Sequence, residues 1–371
     1  SEVNYVEVDA GVVDASGNFV RILKQGDFQV FEDGKLQKVT AFSLVDIPVE
    51  RVETPAFLGR AVEPDVASNA KTPEGRLYVL VLDDFHTDFR RTGQVRRTAR
   101  EFVDKFLGAN DLAAVIHASG RGDVSQDFTN NKRLLLRAID GFAGRKLRSP
   151  VLNKLDDVMI KRDRPGGATE PPIDSEEKQR AYYARQLLST ISNLADYMSA
   201  IHGRRKAIVL LSEGIDYDIN RVMELSDAST IRQETADAIG AATRANINIY
   251  ALDPRGLSSA GDDAMNLIGL PADDPNVNTL GLSALYDELR LSQDGLKTLA
   301  EETGGFAVTS TNDTIGQLKR IVDDNSSYYV LGYYPPDARP GRVHKIDVRV
   351  TRPGVTVRAR KGYMTPKEVK A

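Results

Sequence analysis

Short apolar runs alternate with amphipathic stretches through the middle of the chain. Continuous apolar segments lie at 77–82, 112–117, 206–211 and 247–252, which is typical of strands buried on both faces of a sheet. Between them, apolar residues recur at helical spacing, as in the helix predicted over 176–202. This alternation predicts an α/β fold in which helices cover both faces of a parallel sheet.

Both ends of the chain instead show the period-two pattern of β-strands. Near the start, Asp33-Gly34 separates two alternating runs and predicts a hairpin. We expect the two ends to pair into one small antiparallel β-domain, with the α/β domain inserted between its halves. The predicted divisions are residues 1–45 for the N-terminal half, 46–75 for a linker, 76–325 for the α/β domain with insertions near 143–175 and 254–290, and 327–365 for the C-terminal half. A fragment of residues 74–325 is expected to fold alone.

The amino-acid composition excludes several classes of function. The 371 residues include 49 Lys and Arg against 53 Asp and Glu, so there is no basic excess of the kind expected in a nucleic-acid binder. The absence of cysteine excludes zinc ribbons, iron–sulfur clusters, thiol catalysis and disulfides. The longest apolar runs are far shorter than the roughly 20 residues of a membrane helix, so no transmembrane segment is expected. No phosphate-binding or dinucleotide-binding glycine motif appears, so no organic cofactor is expected.

A family resemblance rests on the order of several motifs. The order of elements after residue 76 resembles that of the von Willebrand factor A domain: the strand and loop LYVLVLDDFHTDF, a helix, a second strand, a short hairpin strand and another helix. Further along, KAIVLLSEG resembles the fourth strand of that domain. More narrowly, the chain is similar to the VWFA-related family found largely in Acidobacteria. That resemblance is carried by DFQVFEDGKLQKVTAF, DDFHT, GRRKAIVLLSEG, IYALDPRGL, LAEETGG, SSYYVLGYYP and KIDVRVTRPGVTVRARKGY. It implies a Rossmann-like, doubly wound, mostly parallel six-stranded sheet, with an antiparallel β-sandwich built from both chain ends.

The resemblance also implies a metal-ion-dependent adhesion site at the carboxyl edge of the sheet. The family supplies oxygen ligands from a D-x-S-x-S loop, a Thr of a second loop and an acid of a third. Asp83 matches the leading Asp, Thr87 replaces the second Ser, and Glu213 stands in the third loop, while Phe85 replaces the first Ser. Because one hydroxyl is lost, weak binding of Mg²⁺, Mn²⁺ or Ca²⁺ is expected.

Several further residues are weaker candidates at the same edge. The candidate ligands are Asp84, Thr169 and Asp216, with Ser149 as an alternative to Thr169. The loops that carry Phe85, His86 and Thr169 are expected to contact a bound partner. The basic stretch 144–164 is a second candidate for an interaction loop.

Three functional hypotheses remain open at this level. The first is an exported, non-enzymatic binding or adhesion module that engages a protein ligand at the altered adhesion site. The second is a metal-dependent hydrolase that uses Asp83, Asp84, His86 and Glu213 around a cation. The third is a structural scaffold. The resemblance, the lack of cysteine and the missing initiator Met favour a location in the periplasm or at the cell surface, with the signal peptide removed.

Overall fold

The computed structural model describes residues 5–47, 75–162, 164, 170–201, 204–218, 227–257, 267, 280–335 and 343–364. The strands are β1 (Val6–Asp14), β2 (Phe28–Glu32), β3 (Lys35–Gln37), β4 (Ala41–Asp46), β5 (Leu77–Leu82), β6 (Leu112–His117), β7 (Gln126–Thr129), β8 (Lys206–Leu211), β9 (Ile247–Leu252), β10 (Ala307–Val308), β11 (Ser327–Tyr333), β12 (Val343–Val350), β13 (Val355–Ala359) and β14 (Gly362–Met364). The helices are α1 (Thr92–Glu101), α2 (Lys132–Asp140), α3 (Pro150–Lys161), α4 (Glu177–Ser199), α5 (Ala228–Arg244), α6 (Leu282–Glu302) and α7 (Thr314–Ser326).

A six-stranded sheet lies at the centre of the α/β part, in the order β10-β9-β8-β5-β6-β7. Neighbouring strands from β10 to β6 are parallel, and β7 is antiparallel to β6. The chain first builds outwards from β5 to β7 and then reverses to β8 on the other side of β5. This is the strand order of a doubly wound sheet, with its switch point between β5 and β8.

Alternate residues of each central strand point to opposite faces, and helices bury both faces. Val79 and Val81 of β5 pack with α4 and α5, whereas Tyr78, Leu80 and Leu82 pack with α1, α2 and α7. Every residue of β5, β8 and β9 is buried. The continuous apolar runs therefore belong to a three-layer α/β arrangement, as predicted from the alternation.

Two four-stranded antiparallel sheets join the ends of the chain. Their orders are β13-β1-β11-β4 and β14-β12-β2-β3, so each contains strands from both ends. Val8, Tyr329, Val30 and Ile346 lie in one apolar cluster between them. The predicted hairpin turn is present, and Asp33 and Gly34 both have positive φ angles (48° and 79°). The expected pairing of the two ends is thus seen in the described strands, and the separate folding of each part stays a prediction.

The α/β part and the β-sheets are joined by buried polar contacts. Arg205, just before β8, forms a buried ion pair with Asp9 of β1. Asn246 Nδ2 also donates to Asp9 Oδ2 at 3.0 Å. On the other side of the junction, Arg358 of β13 forms an ion pair with Asp324 of α7, with Nη2 2.6 Å from Oδ1. These contacts connect strands from both ends of the chain to the inserted part.

Three sequence expectations differ from the structure. The sequence predicts an insertion near 143–175 that interrupts the alternation of strands and helices, but Pro150–Lys161 is a helix, with Ser149 as N-cap and Pro150 in its first turn. A Ser cap followed by Pro is a known signal for the start of a helix. The segment DGLKTLAEETGG predicts a helix over 294–305 that stops at Gly, but the helix begins twelve residues earlier, at Leu282. The sequence predicts a helix over 312–324 with Asn312 as its N-cap, but the cap is Asp313, whose side chain accepts from Gly316 N–H.

The expected linker falls almost wholly outside the described residues, as does most of the expected insertion before residue 280. Among the described helices, none combines the length and the apolar character that spanning a membrane requires.

Candidate functional site

The candidate site lies where β5 and β8 end, at the switch point of the sheet. Leu82 and Leu211, the last residues of these strands, are paired in register. Asp83 and Ser212 follow them directly, and Ser212 Oγ donates to Asp83 Oδ2 at 2.6 Å. Open α/β sheets bind ligands in the crevice at this place, so the topology brings the predicted first and third loops together.

Asp83 is fully buried and held by several donors. Its Oδ1 accepts from the N–H groups of Phe85 (3.2 Å) and His86 (3.1 Å). His86 Nδ1 lies 2.9 Å from Asp83 Oδ2. Burial alone would raise the pKa of Asp83, but His86 and Ser212 outweigh burial and lower it. Burial alone would lower the pKa of His86, and Asp83 raises it above the ordinary value. The two residues therefore form a buried ion pair.

Glu213, the predicted ligand of the third loop, is also fully engaged. Its Oε1 accepts from Asp88 N–H at 2.9 Å, and its Oε2 lies 3.1 Å from Lys146 Nζ. Burial would lower the pKa of the Lys146 ammonium, but Glu213 and Asp216 raise it. Lys146 thus remains charged inside the site and neutralises Glu213.

The remaining candidate acids also face basic side chains. Asp84 Oδ2 accepts from Arg145 at 2.6 Å, and its Oδ1 accepts from Ser119 N–H at 3.0 Å. Asp216 is bound by Arg180 at 2.6 Å. Both acids are buried, so their charges are compensated within the chain.

Arg145 and Lys146 belong to a segment that lies directly against the first acidic loop. Arg145 N–H donates to Asp84 O at 2.7 Å, and Lys146 N–H donates to Thr87 O at 3.0 Å. Gly144 makes this approach feasible, because a Cβ there would lie 2.3 Å from Thr87 O. We call residues 144–146 the basic segment. Sequence reasoning noted the positive charge of 144–164, but it did not predict that two of these residues pair with the acidic loops.

The other residues predicted for the site differ in their surroundings. Thr87 is buried, and its Oγ1 has no hydrogen-bond partner among the described residues. Phe85 stacks on Tyr183 with ring centroids 4.1 Å apart. Ser149 caps α3 and donates to Glu288 at 2.5 Å. Thr169 lies outside the described residues.

This donor set does not fit a divalent cation in the arrangement seen. A cation between Asp83 and Glu213 requires free carboxylate oxygens, but each of these four oxygens already accepts from a donor of the chain. An ion would have to displace His86 and Lys146 from these oxygens, and their buried positive charges would then lose their carboxylate partners. Weak metal binding through Asp83, Thr87 and Glu213 stays a prediction.

A second group of candidate ligands lies in the β-sheets. Glu32, Asp33 and His344 each offer an atom within 4.8 Å of the others. His344 Nδ1 lies 3.3 Å from Glu32 and 3.0 Å from Asp33. Tyr363 stacks on His344 and donates to Glu32 Oε2 at 3.2 Å. No sequence pattern predicts a site here; the contacts are those of a hydrogen-bonded cluster at the hairpin turn, in which Glu32 and His344 are buried and Asp33 is exposed.

Comparisons with known proteins find likenesses among solved structures only. No protein-family model and no curated protein matches the sequence. Among solved structures, the chain is similar to the manganese-loaded Plasmodium vivax TRAP protein, with 8% sequence identity and a TM-score of 0.31. The match covers 79% of this chain and 95% of that one. A likeness of this size carries no argument about the site, so the α/β fold rests on the strand order described above.

Proposed function

We propose that the chain is a non-enzymatic binding module of the VWFA-related type, exported to the periplasm or cell surface. The support for the family is topological: a doubly wound sheet with one antiparallel edge strand, and acidic loops where β5 and β8 end. The resemblance of the motifs, given in order along the sequence, is consistent with this topology. Finding the chain in the cytosol of its native host would contradict the export.

The basic segment takes the place of the metal in the proposed site. The observation that carries this is the Lys146–Glu213 ion pair, in which the two side chains are only 13% and 5% exposed. A divalent cation normally relieves the repulsion between carboxylates that converge at such an edge. Here Lys146, His86 and Arg145 supply the positive charge, so the edge keeps its shape without an ion.

Exposed aromatic side chains beside the acidic loop support a protein ligand. Phe89, just after the loop, is 72% exposed, and Tyr182 on α4 is 55% exposed. Tyr182 contacts the edge of Phe85, with ring centroids 6.5 Å apart. Aromatic residues of this kind are enriched in the core of protein interfaces. We therefore place the protein-binding surface around Phe85, Phe89 and Tyr182.

The test compares the metal response of the wild type with that of Lys146→Met. Removing the ammonium leaves Glu213 buried and unpaired, which should cost about 3–5 kcal/mol of stability. Mg²⁺ or Mn²⁺ should then stabilise the variant, while the wild type shows no change in Tm and no heat of binding. Lys319→Met is the matched control, because it removes an exposed pair with Asp323 and should cost at most about 1 kcal/mol.

Two other results would contradict the replacement of the metal by Lys146. If the wild type binds Mg²⁺, Mn²⁺ or Ca²⁺ in calorimetry and Asp83→Ala abolishes the heat, the metal prediction holds and Lys146 is not its replacement. If neither protein responds to a cation and no variant at Phe89 or Tyr182 alters partner binding, the scaffold hypothesis replaces this proposal.

A hydrolase is the second candidate, and one observation favours it. His86 Nδ1 is oriented by Asp83 while Nε2 has no partner among the described residues, the arrangement of a histidine base. However, His86 is only 1% exposed, and Asp84 and Glu213 are held by Arg145 and Lys146. Hydrolysis of p-nitrophenyl phosphate or acetate by the wild type, lost in His86→Asn, would establish this alternative.

A further inference from the structure

The cluster at the hairpin turn brings together one imidazole and two carboxylates from both ends of the chain. Glu32 ends β2 and Asp33 follows it in the turn, whereas His344 is the second residue of β12. Since β12 pairs with β2, the register places His344 beside the turn. His344 Nδ1 lies 3.3 Å from Glu32 Oε1 and 3.0 Å from Asp33 Oδ2. Three atoms that can bind a metal therefore converge from distant parts of the sequence.

The spacing of these atoms suits a tetrahedral metal ion. Zn²⁺ binds histidine nitrogen at about 2.0–2.1 Å and carboxylate oxygen at about 2.0–2.2 Å, usually with four ligands. Neighbouring ligand atoms in such a tetrahedron lie about 3.3 Å apart. The His344 nitrogen lies 3.3 and 3.0 Å from the two carboxylate oxygens, so an ion fits against all three after small side-chain movements. The two carboxylates also carry the charge that balances a divalent cation.

The group between these carboxylates differs from those at the acidic edge of the six-stranded sheet. There, Glu213 is held by Lys146 and Asp84 by Arg145. Charged lysine and arginine side chains only donate and have no lone pair for a metal. An imidazole nitrogen is itself a metal ligand once it carries no proton. An ion at the hairpin turn thus replaces a proton and leaves no positive side chain without its partner.

Outer contacts orient all three side chains. Tyr363 Oη donates to Glu32 Oε2 at 3.2 Å, and the Tyr363 ring stacks on His344 with ring centroids 5.1 Å apart. Lys345 N–H donates to Asp33 Oδ1 at 3.0 Å. Metal ligands characteristically have such partners behind them, which fix the imidazole ring and the carboxylates in place. The oxygen of each carboxylate that faces the imidazole is therefore held in position through its other oxygen.

A buried hydroxyl beside the cluster is an independent sign of a ligand. Tyr333 is fully buried, and its Oη has no hydrogen-bond partner among the described residues. Burial raises the pKa of Tyr333, and the nearby Glu32 carboxylate raises it further, so this hydroxyl lies close to the cluster. Buried polar groups nearly always have a partner, and an exception can mark the place of an ion or of its water.

We propose that Glu32, Asp33 and His344 form a Zn²⁺ site that ties the N-terminal hairpin to strand β12. His344 Nδ1 and one oxygen of each carboxylate bind the ion, and the exposed side of the cluster at Asp33 admits water as the fourth ligand. A nitrogen ligand favours Zn²⁺ over Mg²⁺, and Zn²⁺ stands above Mn²⁺ in the general order of affinities. The site lies in the sheets built from the chain ends and does not depend on the proposed protein ligand.

Calorimetric titration of the full, untagged chain with ZnCl₂ at about pH 7 tests this proposal. We expect one equivalent of Zn²⁺ to bind and to raise the Tm, because an ion that binds only the folded chain stabilises it. Mg²⁺ and Mn²⁺ at the same concentration should give no measurable heat. The absence of saturable Zn²⁺ binding overturns the proposal.

A variant in the turn locates the ion. Asp33→Asn keeps the size of the side chain, and asparagine tolerates the positive φ of this position (48°), so the variant should fold. Zn²⁺ binding should weaken at least about tenfold, because the loss of an outer partner alone costs about 10–100-fold. Asp347→Asn is the matched control, since it removes an acid of β12 that pairs with Arg349 and lies outside the cluster; its affinity should stay within about twofold. Unchanged binding in Asp33→Asn, or equal loss in both variants, overturns the proposal.

The imidazole resonances give a second readout. Zn²⁺ should shift the NMR signals of the His344 ring in the wild type and leave those of His117, a residue of β6, unchanged. A Zn²⁺ shift confined to other histidines would place the ion elsewhere and overturn the assignment. The Lys146–Glu213 pair is tested with Mg²⁺ and Mn²⁺, so the failure of either proposal leaves the other standing.

Discussion

At the scale of residues, the carboxyl edge of the six-stranded sheet is a set of matched charges. Asp83 faces His86, Asp84 faces Arg145, Glu213 faces Lys146, and Asp216 faces Arg180. Each acid is buried, and a buried charge without a partner is costly. The pairs keep the edge folded, and they remove the unpaired carboxylates that a metal site needs.

The Asp83–His86 pair predicts a pH dependence of stability. The pKa of Asp83 is lowered from 3.8 and that of His86 is raised from 6.5. The contribution of His86 is therefore complete below pH 6.5 and is lost as the pH rises through its raised pKa. The contribution of Asp83 is present above pH 3.8 and is lost as the pH falls through its lowered pKa.

Urea unfolding at about pH 6 and about pH 9 checks this expectation. The stability difference between wild type and His86→Asn should be larger at the lower pH. His117→Asn is a control of opposite sign, because burial lowers the pKa of His117, so its contribution grows as the pH rises. An equal difference at both pH values for His86→Asn would contradict the ion pair.

At the scale of elements, the basic segment depends on close backbone approach to the loop after β5. The absence of a side chain at Gly144 lets Arg145 and Lys146 donate to the backbone of that loop. The same contacts carry the side chains of Arg145 and Lys146 to Asp84 and Glu213. One small residue thus positions two positive charges.

Gly144→Ala should separate the basic segment from the acidic loop. The added Cβ would lie 2.3 Å from Thr87 O and 2.8 Å from Asp88 O, and overpacking of this kind costs about 1–3 kcal/mol. Gly295→Ala within α6 is the control, because a Cβ there meets nothing within 4 Å, and alanine should stabilise that helix by about 0.5–1 kcal/mol. Thermal unfolding measures both; an unchanged Tm for Gly144→Ala would show that the loops separate without cost.

At the scale of the whole molecule, buried polar contacts join the inserted α/β part to the sheets built from the chain ends. Asp9 accepts from Arg205 and from Asn246, and the guanidinium of Arg205 lies 4.3 Å from the ring centroid of Tyr328. Strands β1 and β11 are paired with each other, so the contact connects the two ends to the strand that begins after Arg205.

Asp9→Ala should destabilise the full chain by about 3–5 kcal/mol, because it leaves Arg205 buried without its carboxylate. Asp27→Ala, just before β2, is a milder control, since the Asp27 side chain accepts only from the nearby Lys24 N–H among the described residues. Chemical unfolding followed by circular dichroism gives both values. A loss below about 1 kcal/mol for Asp9→Ala would show that the junction depends on apolar packing alone.

The sequence by itself determined the layers of the fold. An apolar run such as LYVLVL is stable only when both of its faces are buried, so the local pattern was sufficient to predict a covered sheet. Asp33-Gly34 adopts the positive φ angles of a tight hairpin, so the local pattern was sufficient to predict this turn as well. The order of motifs also placed Asp83 and Glu213 at one edge. Helix α3 was missed although Ser149 and Pro150 signal its start, because the surrounding glycines and prolines masked its apolar spacing.

Only the tertiary structure decided what the acidic loops contact. Lys146 lies 67 residues from Glu213, and Arg145 lies 61 residues from Asp84, so no local pattern links them. Charge pairing depends on which loops the topology brings to one edge, whereas strands and turns depend on neighbours along the chain.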